Sequence, residues 1–253
     1  MDPHAVFRSA AKGKRDRKMK YAMITGCDHG LGLHLARESL KRGYDAIVCY
    51  LRDPPMELEE EHPGSVHLLR LDIGSDASVK RTRDSAAGIV PKLDLLINNA
   101  GILGQMESGP DDPLDFEMMQ RVINVNALGT LRVTAAMLPL LRLGEEKTIV
   151  NISSEAGSVQ DCERRGWFGY CMSKAANNMQ GALIHNSFRL EGGRVYQIHP
   201  GHVATYMRGH LDTTAPITPA ESAAGILKTV LDGSCPVSNR PMYLDYAGKE
   251  LHW

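Results

Sequence analysis

Tyr170 and Lys174 stand four residues apart in a stretch, Trp167 to Leu190, whose pattern predicts a helix. That spacing puts a phenol and an ammonium on one helical face. A free phenol ionises near pH ~10 and is a reluctant base at neutrality, whereas a neighbouring cation lowers this by roughly 1 to 3 units and fits it for proton transfer. Of the eight tyrosines only Tyr170 has a lysine at this spacing. Upstream, the strand-like run Thr148 to Ile152 leads into Ser153-Ser154-Glu155-Ala156-Gly157. There the Ser154 hydroxyl can donate to a carbonyl oxygen as negative charge develops on it. Each signal has an ordinary alternative, since such Tyr and Lys pairs arise by chance and a serine in this place also serves as a turn or helix cap.

A second constellation has the make-up of an anion site. The run Tyr21 to Thr25 passes straight into Thr25-Gly26-Cys27-Asp28-His29-Gly30-Leu31-Gly32, and the helical segment Leu33 to Arg42 follows. A strand-to-helix turn of this kind aims backbone N–H groups and the positive helix end at a pyrophosphate, and glycine leaves room for the anion to approach. The spacing is G-x-x-x-G-x-G, not the G-x-G-x-x-G of many dinucleotide sites, and alone it is a weak signal. Its position strengthens it, because the ligand crevice of a doubly wound sheet opens beside the first strand. His29 is either a phosphate neighbour or a solvated loop residue.

The end of the second strand bears on which dinucleotide is held. An acid there grips the ribose hydroxyls of NAD, whereas an arginine accommodates the 2′-phosphate of NADP. The run Val48-Cys49-Tyr50-Leu51-Arg52-Asp53 offers Leu51 where the acid is expected and Arg52 next to it, which favours NADP(H) over NAD(H). A shift of two residues in the strand end would bring Asp53 to the ribose and reverse that preference.

These groups need a scaffold, and the apolar pattern supplies one. Strand-like runs recur at Tyr21 to Thr25, Ala46 to Leu51, Val66 to Leu71, Leu93 to Asn98, Thr148 to Ile152, Val195 to His199 and Pro241 to Leu244, with helix-length segments between them. Continuous apolar strands alternating with helices predict an α/β doubly wound Rossmann fold, a parallel sheet of about seven strands covered on both faces. Asp76 is placed to cap a helix running to Val90, and Pro113 opens a long amphipathic stretch through Leu143 that Gly144 ends.

Composition narrows the function classes. The chain has 253 residues, 29 basic and 30 acidic, for a net charge of −1. The first eighteen residues hold six of the basic and two of the acidic groups, leaving 23 against 28 in the remainder. An acidic body is a poor nucleic-acid binder. Residues 1–18 read as a basic, disordered leader, and 19–253 as one dinucleotide-binding and catalytic domain. No apolar run reaches the ~18 residues a membrane span needs, and no secretory leader is evident, so the expected location is the cytoplasm. The five cysteines are odd in number and lack C-x-x-C spacing, and the ten histidines are dispersed, so reduced thiols and no metal are expected.

Taken in order, these stations resemble the short-chain dehydrogenase/reductase family along nearly the whole chain. They are Thr25-Gly26 through Gly30 and Gly32, then Asp72, Asn98-Asn99-Ala100-Gly101, Asn126 in Asn126-Ala127-Leu128-Gly129, Ser154, Tyr170 with Lys174, and Pro200-Gly201. The C-terminal run Asp245 to Trp253, with Arg52, is similar to the C-factor-type carbonyl-reductase branch. The resemblance implies an oxidoreductase that moves a hydride between a nicotinamide and a carbonyl or alcohol, with Tyr170 as acid/base and Ser154, Lys174 and Asn126 as its partners. It implies a cofactor site of Thr25, Gly26, Asp28, His29, Gly30, Leu31, Gly32, Arg52, Asp72, Ile73, Asn99, Ala100, Gly101, Tyr170, Lys174, Pro200, Gly201, Val203 and Thr205. Asp72 would meet the adenine, Lys174 the nicotinamide ribose, and Asn126 a water linking Lys174 to solvent. A homodimer or homotetramer through the long helices is also implied. The chain departs from the pattern in the length between Ser154 and Tyr170, where an insertion carries Asp161, Glu163, Arg164 and Arg165, and in a short polar stretch from Tyr206 to Thr218 where relatives carry a lid. An alternative reading is a non-catalytic NADP(H)-binding redox sensor, since fold alone does not make an enzyme.

Overall fold

A computed structural model describes residues 19–232 and 238–253. The leader and Cys235 fall outside the described residues. Seven strands form one parallel sheet in the order β3-β2-β1-β4-β5-β6-β7. They are β1 (Lys20–Thr25), β2 (Tyr44–Tyr50), β3 (Val66–Arg70), β4 (Leu95–Asn98), β5 (Thr148–Ile152), β6 (Arg194–His199) and β7 (Met242–Asp245). The order reverses between β1 and β4, and the crevice above that reversal is where such sheets bind ligands.

Strand alternation sends side chains to two cores. Ala22, Ile24 and Val48 pack with Leu35 of α1 (Gly30–Lys41), Leu58 of α2 (Met56–Glu61) and Ile226 of α7 (Pro219–Leu231). Met23, Ile47 and Leu96 pack on the other face with Val79 of α3 (Asp76–Ile89), Val133 and Met137 of α5 (Thr130–Leu143) and Phe188 of α6 (Phe168–Phe188). Both faces are covered, which explains why the strands read as unbroken apolar runs.

Three local features differ from the sequence reading. The stretch from Pro113 to Leu143 is not one helix: α4 (Phe116–Ile123), capped by Asp115, meets α5 through a π-helical turn at Asn124–Gly129. A wide turn of this kind inserts an extra residue and re-aims the side chains it carries, and such turns gather at functional sites. The cap of α3 is Ser75, whose hydroxyl accepts from Ser78 N, while Asp76 is the first helical residue and takes the favourable dipole position. Gly144 does end α5, but in extended backbone; a Cβ there would lie 1.9 Å from the Leu93 carbonyl oxygen, so space and not handedness requires glycine.

Among the described residues no helix is long and apolar enough to cross a membrane, and no three His, Cys, Asp or Glu side chains converge as metal ligands. Cys27, Cys49, Cys162 and Cys171 are free thiols.

Candidate active site

The glycine turn after β1 is held by the loop after β4. Thr25 Oγ1 accepts from Asn99 N at 3.0 Å and Ala100 N at 3.1 Å, and the Asn99 amide donates to the carbonyls of Thr25 and Gly26, each at 3.0 Å. Gly26 has φ +72°, and a Cβ there would lie 2.8 Å from Ala100 Cα. A Cβ on Gly32 would lie 2.0 Å from the Gly26 carbonyl oxygen. Helix α1 starts at Gly30 after His29 with no side-chain cap, so its first N–H groups face the crevice unspent. Leu31 is buried under the turn. A cradle closed to side chains and lined with helix N–H groups fits a pyrophosphate.

At the far end of this crevice, Asp28 reaches across to the end of β2. Its carboxylate accepts from Arg52 N at 2.7 Å, Leu51 N at 3.0 Å and Asp53 N at 3.1 Å. Burial favours the neutral acid, but these three donors outweigh it and hold the carboxyl below its usual range. Arg52 is exposed, and Arg70 Nε donates to the Leu51 carbonyl, which brings a second guanidinium to the same corner. Asp72 is exposed with one oxygen accepting from Gly74 N, while Ile73 is buried and its carbonyl accepts from Arg132. His29 packs edge-on against Tyr206, with ring centroids 5.7 Å apart.

On the other side of the reversal, β5 ends at Ile152 and the next turn carries Ser154, which caps the short 3-10 turn Glu155–Gly157 by accepting from Ala156 N. The Tyr243 hydroxyl donates to the Ser154 carbonyl oxygen. Helix α6 brings Tyr170 and Lys174 against this turn, with relative exposures of 7% and 3%. Lys174 Nζ donates to the Ile152 carbonyl at 2.8 Å and lies 5.5 Å from the centre of the Tyr170 ring. Close packing of α6 here depends on Gly157, whose Cβ would come within 2.9 Å of the Lys174 backbone.

The phenol does not titrate as the i,i+4 spacing suggested. Burial raises Tyr170 to about 12, and the hydrogen bond with Ser154 pulls it down only in part. Burial also lowers Lys174 to about 8. Both shifts favour the neutral form, because burial takes water away from each charge.

Asn126 comes to this site on the π-helical turn. Its Oδ1 accepts from Ile102 N at 2.8 Å, and its Nδ2 donates to Ile102 O at 2.8 Å and Ser173 Oγ at 3.0 Å, so the amide is spent on fixing the turn against α6. A Cβ on Gly101 would be 3.1 Å from Asn126 Oδ1 and 3.9 Å from Lys174 Nζ, which places the loop after β4 directly beside the ammonium. Beyond β6, the Pro200 carbonyl accepts from Ser222 Oγ, Gly201 has φ +82°, and Val203 bridges Ile217. A Cβ on Gly30 would lie 3.5 Å from Thr205 Cγ2, so this loop arches over the glycine turn.

The glycine turn, the loops after β4 and β6, and Asn126, Tyr170 and Lys174 therefore come together, with Arg52 at the end of β2 tied to the turn through Asp28. Sequence reasoning missed Ser173 and Tyr243, which orient Asn126 and Ser154. Ser173 had a signal in its place beside Lys174; Tyr243 had none, being 89 residues from its partner.

Comparison with known proteins follows the same outline. The short chain dehydrogenase family profile matches residues 20–216. The "1-hydroxy-2-glutathionyl-2-methyl-3-butene dehydrogenase" of Rhodococcus sp. (strain AD45) is 32% identical over 238 residues, 93% of this chain and 100% of that protein. "C-signal" of Myxococcus xanthus is 40% identical over 161 residues, 64% of this chain and 93% of that protein. NADPH-bound carbonyl reductase from chicken fatty liver has a TM-score of 0.82 at 28% identity, covering 93% of this chain and 94% of that one.

Proposed function

Because this chain belongs to the short-chain dehydrogenase/reductase family, and so is a nicotinamide-dependent oxidoreductase acting between an alcohol and a carbonyl group, we propose that it reduces a small ketone or aldehyde with NADPH, Tyr170 serving as the acid. The observation that carries this reading is the burial of Tyr170, Lys174 and Ser154 together at the mouth of the glycine-lined crevice. The nicotinamide, when bound, supplies the hydride that the carbonyl carbon receives. Ser154 holds the carbonyl oxygen, and Tyr170, neutral over the working range, passes its proton to that oxygen so that an alcohol leaves. Lys174 holds the ribose and returns a proton to the phenol. Asn126 supports the water route to Lys174 by fixing the turn beside it, its own amide being fully bonded. The reverse reaction uses the same groups in the opposite protonation sequence.

Arg52 and Arg70 at the adenosine end support a 2′-phosphate, as does the NADPH of the chicken carbonyl reductase. Glycine-turn residues Thr25 to Gly32, together with Asp72, Ile73, Asn99 to Gly101, Pro200, Gly201, Val203 and Thr205, complete the cofactor site in this reading. Residues 19–253 act as one catalytic unit in the cytoplasm. Met172, Met179 and Leu183 on α6 and Leu131 on α5 are exposed apolar side chains, which supports a homodimer or homotetramer through those helices.

The test is NADPH oxidation over a panel of aldehydes and ketones by the native chain and by Tyr170→Phe. Turnover by the native chain alone is expected. Cofactor binding without turnover by either protein overturns the catalytic reading.

A further inference from the structure

Trp167 stands in left-handed backbone, φ 64°, immediately before α6. A bulky side chain persists there only where its surroundings hold it, and such positions gather at ligand clamps. Trp167 N donates to the Met106 carbonyl at 3.2 Å. Its indole lies edge-on to Tyr170, with centroids 6.0 Å apart, so it forms the wall next to the acid. Two guanidiniums reach the same indole: Arg164, from the insertion, at 5.2 Å from a ring centroid, and Arg208, from the loop after β6, at 5.9 Å. Next to the indole opens a cavity of about 310 Å³ lined by Met106, Glu107, Gly109, Arg164, Arg165 and Trp167.

The arginines around this indole and the cavity beside it are unequally engaged. Arg164 is paired with Glu155 at 2.6 Å. Among the described residues Arg208 pairs only with Asp212, at 3.8 Å, and that carboxylate is already held by Thr214 and His202. Arg165 is exposed and forms no ion pair among the described residues. Arg165 on the cavity wall and Arg208 against the indole therefore keep donors to spare beside a flat apolar surface.

We propose that this cavity takes an anionic arm of the substrate, a single carboxylate attached through a flat or apolar linker to the carbonyl that meets Tyr170. The proposal rests on the reading of Tyr170 as the acid. A guanidinium fork matches a carboxylate in plane and in spacing, and its contact with the indole face fixes its position before the ligand arrives. Glu107 on the same wall opposes a doubly charged group, which selects a monocarboxylate over a phosphate.

Two probes that share the aldehyde and ring but differ in that charge, the ester adding one methyl group, are 4-carboxybenzaldehyde and methyl 4-formylbenzoate. The native enzyme with NADPH should turn over the acid with at least a tenfold higher kcat/KM, and the ratio should shrink as salt rises. Arg165→Gln with Arg208→Gln should bring the ratio close to one, whereas Arg83→Gln on α3 should leave it. An equal preference in the native enzyme, or a ratio untouched by the double substitution, overturns the proposal. Binding of monomethyl terephthalate is followed in parallel by quenching of tryptophan fluorescence, with Trp167→Phe as the blank. Saturable quenching that the double substitution abolishes, in a protein that reduces neither probe, supports the carboxylate arm while removing the catalytic reading. Turnover without either preference or quenching does the opposite.

Discussion

The ammonium of Lys174 lies 5.5 Å from the centre of the Tyr170 ring and donates to the carbonyl of Ile152, the last residue of β5. The sheet thus positions the cation, and the helix holds the phenol against it. Burial takes Lys174 down to about 8 and Tyr170 up to about 12. The phenol keeps its proton throughout the working range, so the titration that limits reduction is that of the lysine. We expect kcat/KM for carbonyl reduction to fall as pH rises through about 8, with Lys174→Arg moving the inflection upward; a pH–rate profile checks it.

The same two shifts affect stability with opposite signs. Unfolded lysine holds its proton to about 10.4, so between about 8 and there the unfolded chain binds the extra proton and stability rises with pH. From about 10 to about 12 the native phenol retains a proton that the unfolded chain releases, so stability falls. Denaturant titrations across this range should show a maximum that Lys174→Met flattens on its alkaline-rising side.

Tyr170→Phe removes the acid without disturbing its packing. The expected loss in kcat is about 10²- to 10⁴-fold, the usual yield of a positioned proton donor. NADPH binding, followed by cofactor fluorescence, should survive.

Gly32→Ala puts a Cβ 2.0 Å from the Gly26 carbonyl oxygen and 2.5 Å from Asn99 Nδ2. Neither neighbour can yield, because both are bonded within the same turn. Overpacking of this kind costs about 1 to 3 kcal/mol, and at roughly 2–4 °C per kcal/mol the melting temperature should drop by several degrees. Cofactor affinity should fall at least tenfold, measured by isothermal titration.

Asp28 spends its carboxylate on the backbone of Leu51, Arg52 and Asp53. Asp28→Ala should release that turn and weaken binding of both cofactors, whereas Arg52→Ala should raise the KM for NADPH about tenfold and leave NADH unchanged. Equal effects of Arg52→Ala on the two cofactors would refute the 2′-phosphate assignment.

Tyr243→Phe removes one of the two donors to the Ser154 carbonyl and leaves Gly157 N at 2.9 Å as the other, a loss of about 0.5 to 1.5 kcal/mol. A severalfold fall in kcat with unchanged NADPH affinity is expected, since the serine and not the cofactor turn is affected.

Much of this was legible in the chain itself. Unbroken apolar strands forecast a sheet covered on both faces; glycine spacing forecast a turn closed to side chains; and Tyr170 with Lys174 declared a shared helical face. Those features depend on neighbouring residues, where backbone dihedrals and periodicity act directly. Tertiary structure alone decided the rest. The bonds that occupy Asn126, the grip of Tyr243 on Ser154 and the approach of Arg208 to Trp167 all join distant segments. The upward shift of the phenol has the same origin: it reflects how much water the assembled fold removes, and no spacing in a sequence measures that.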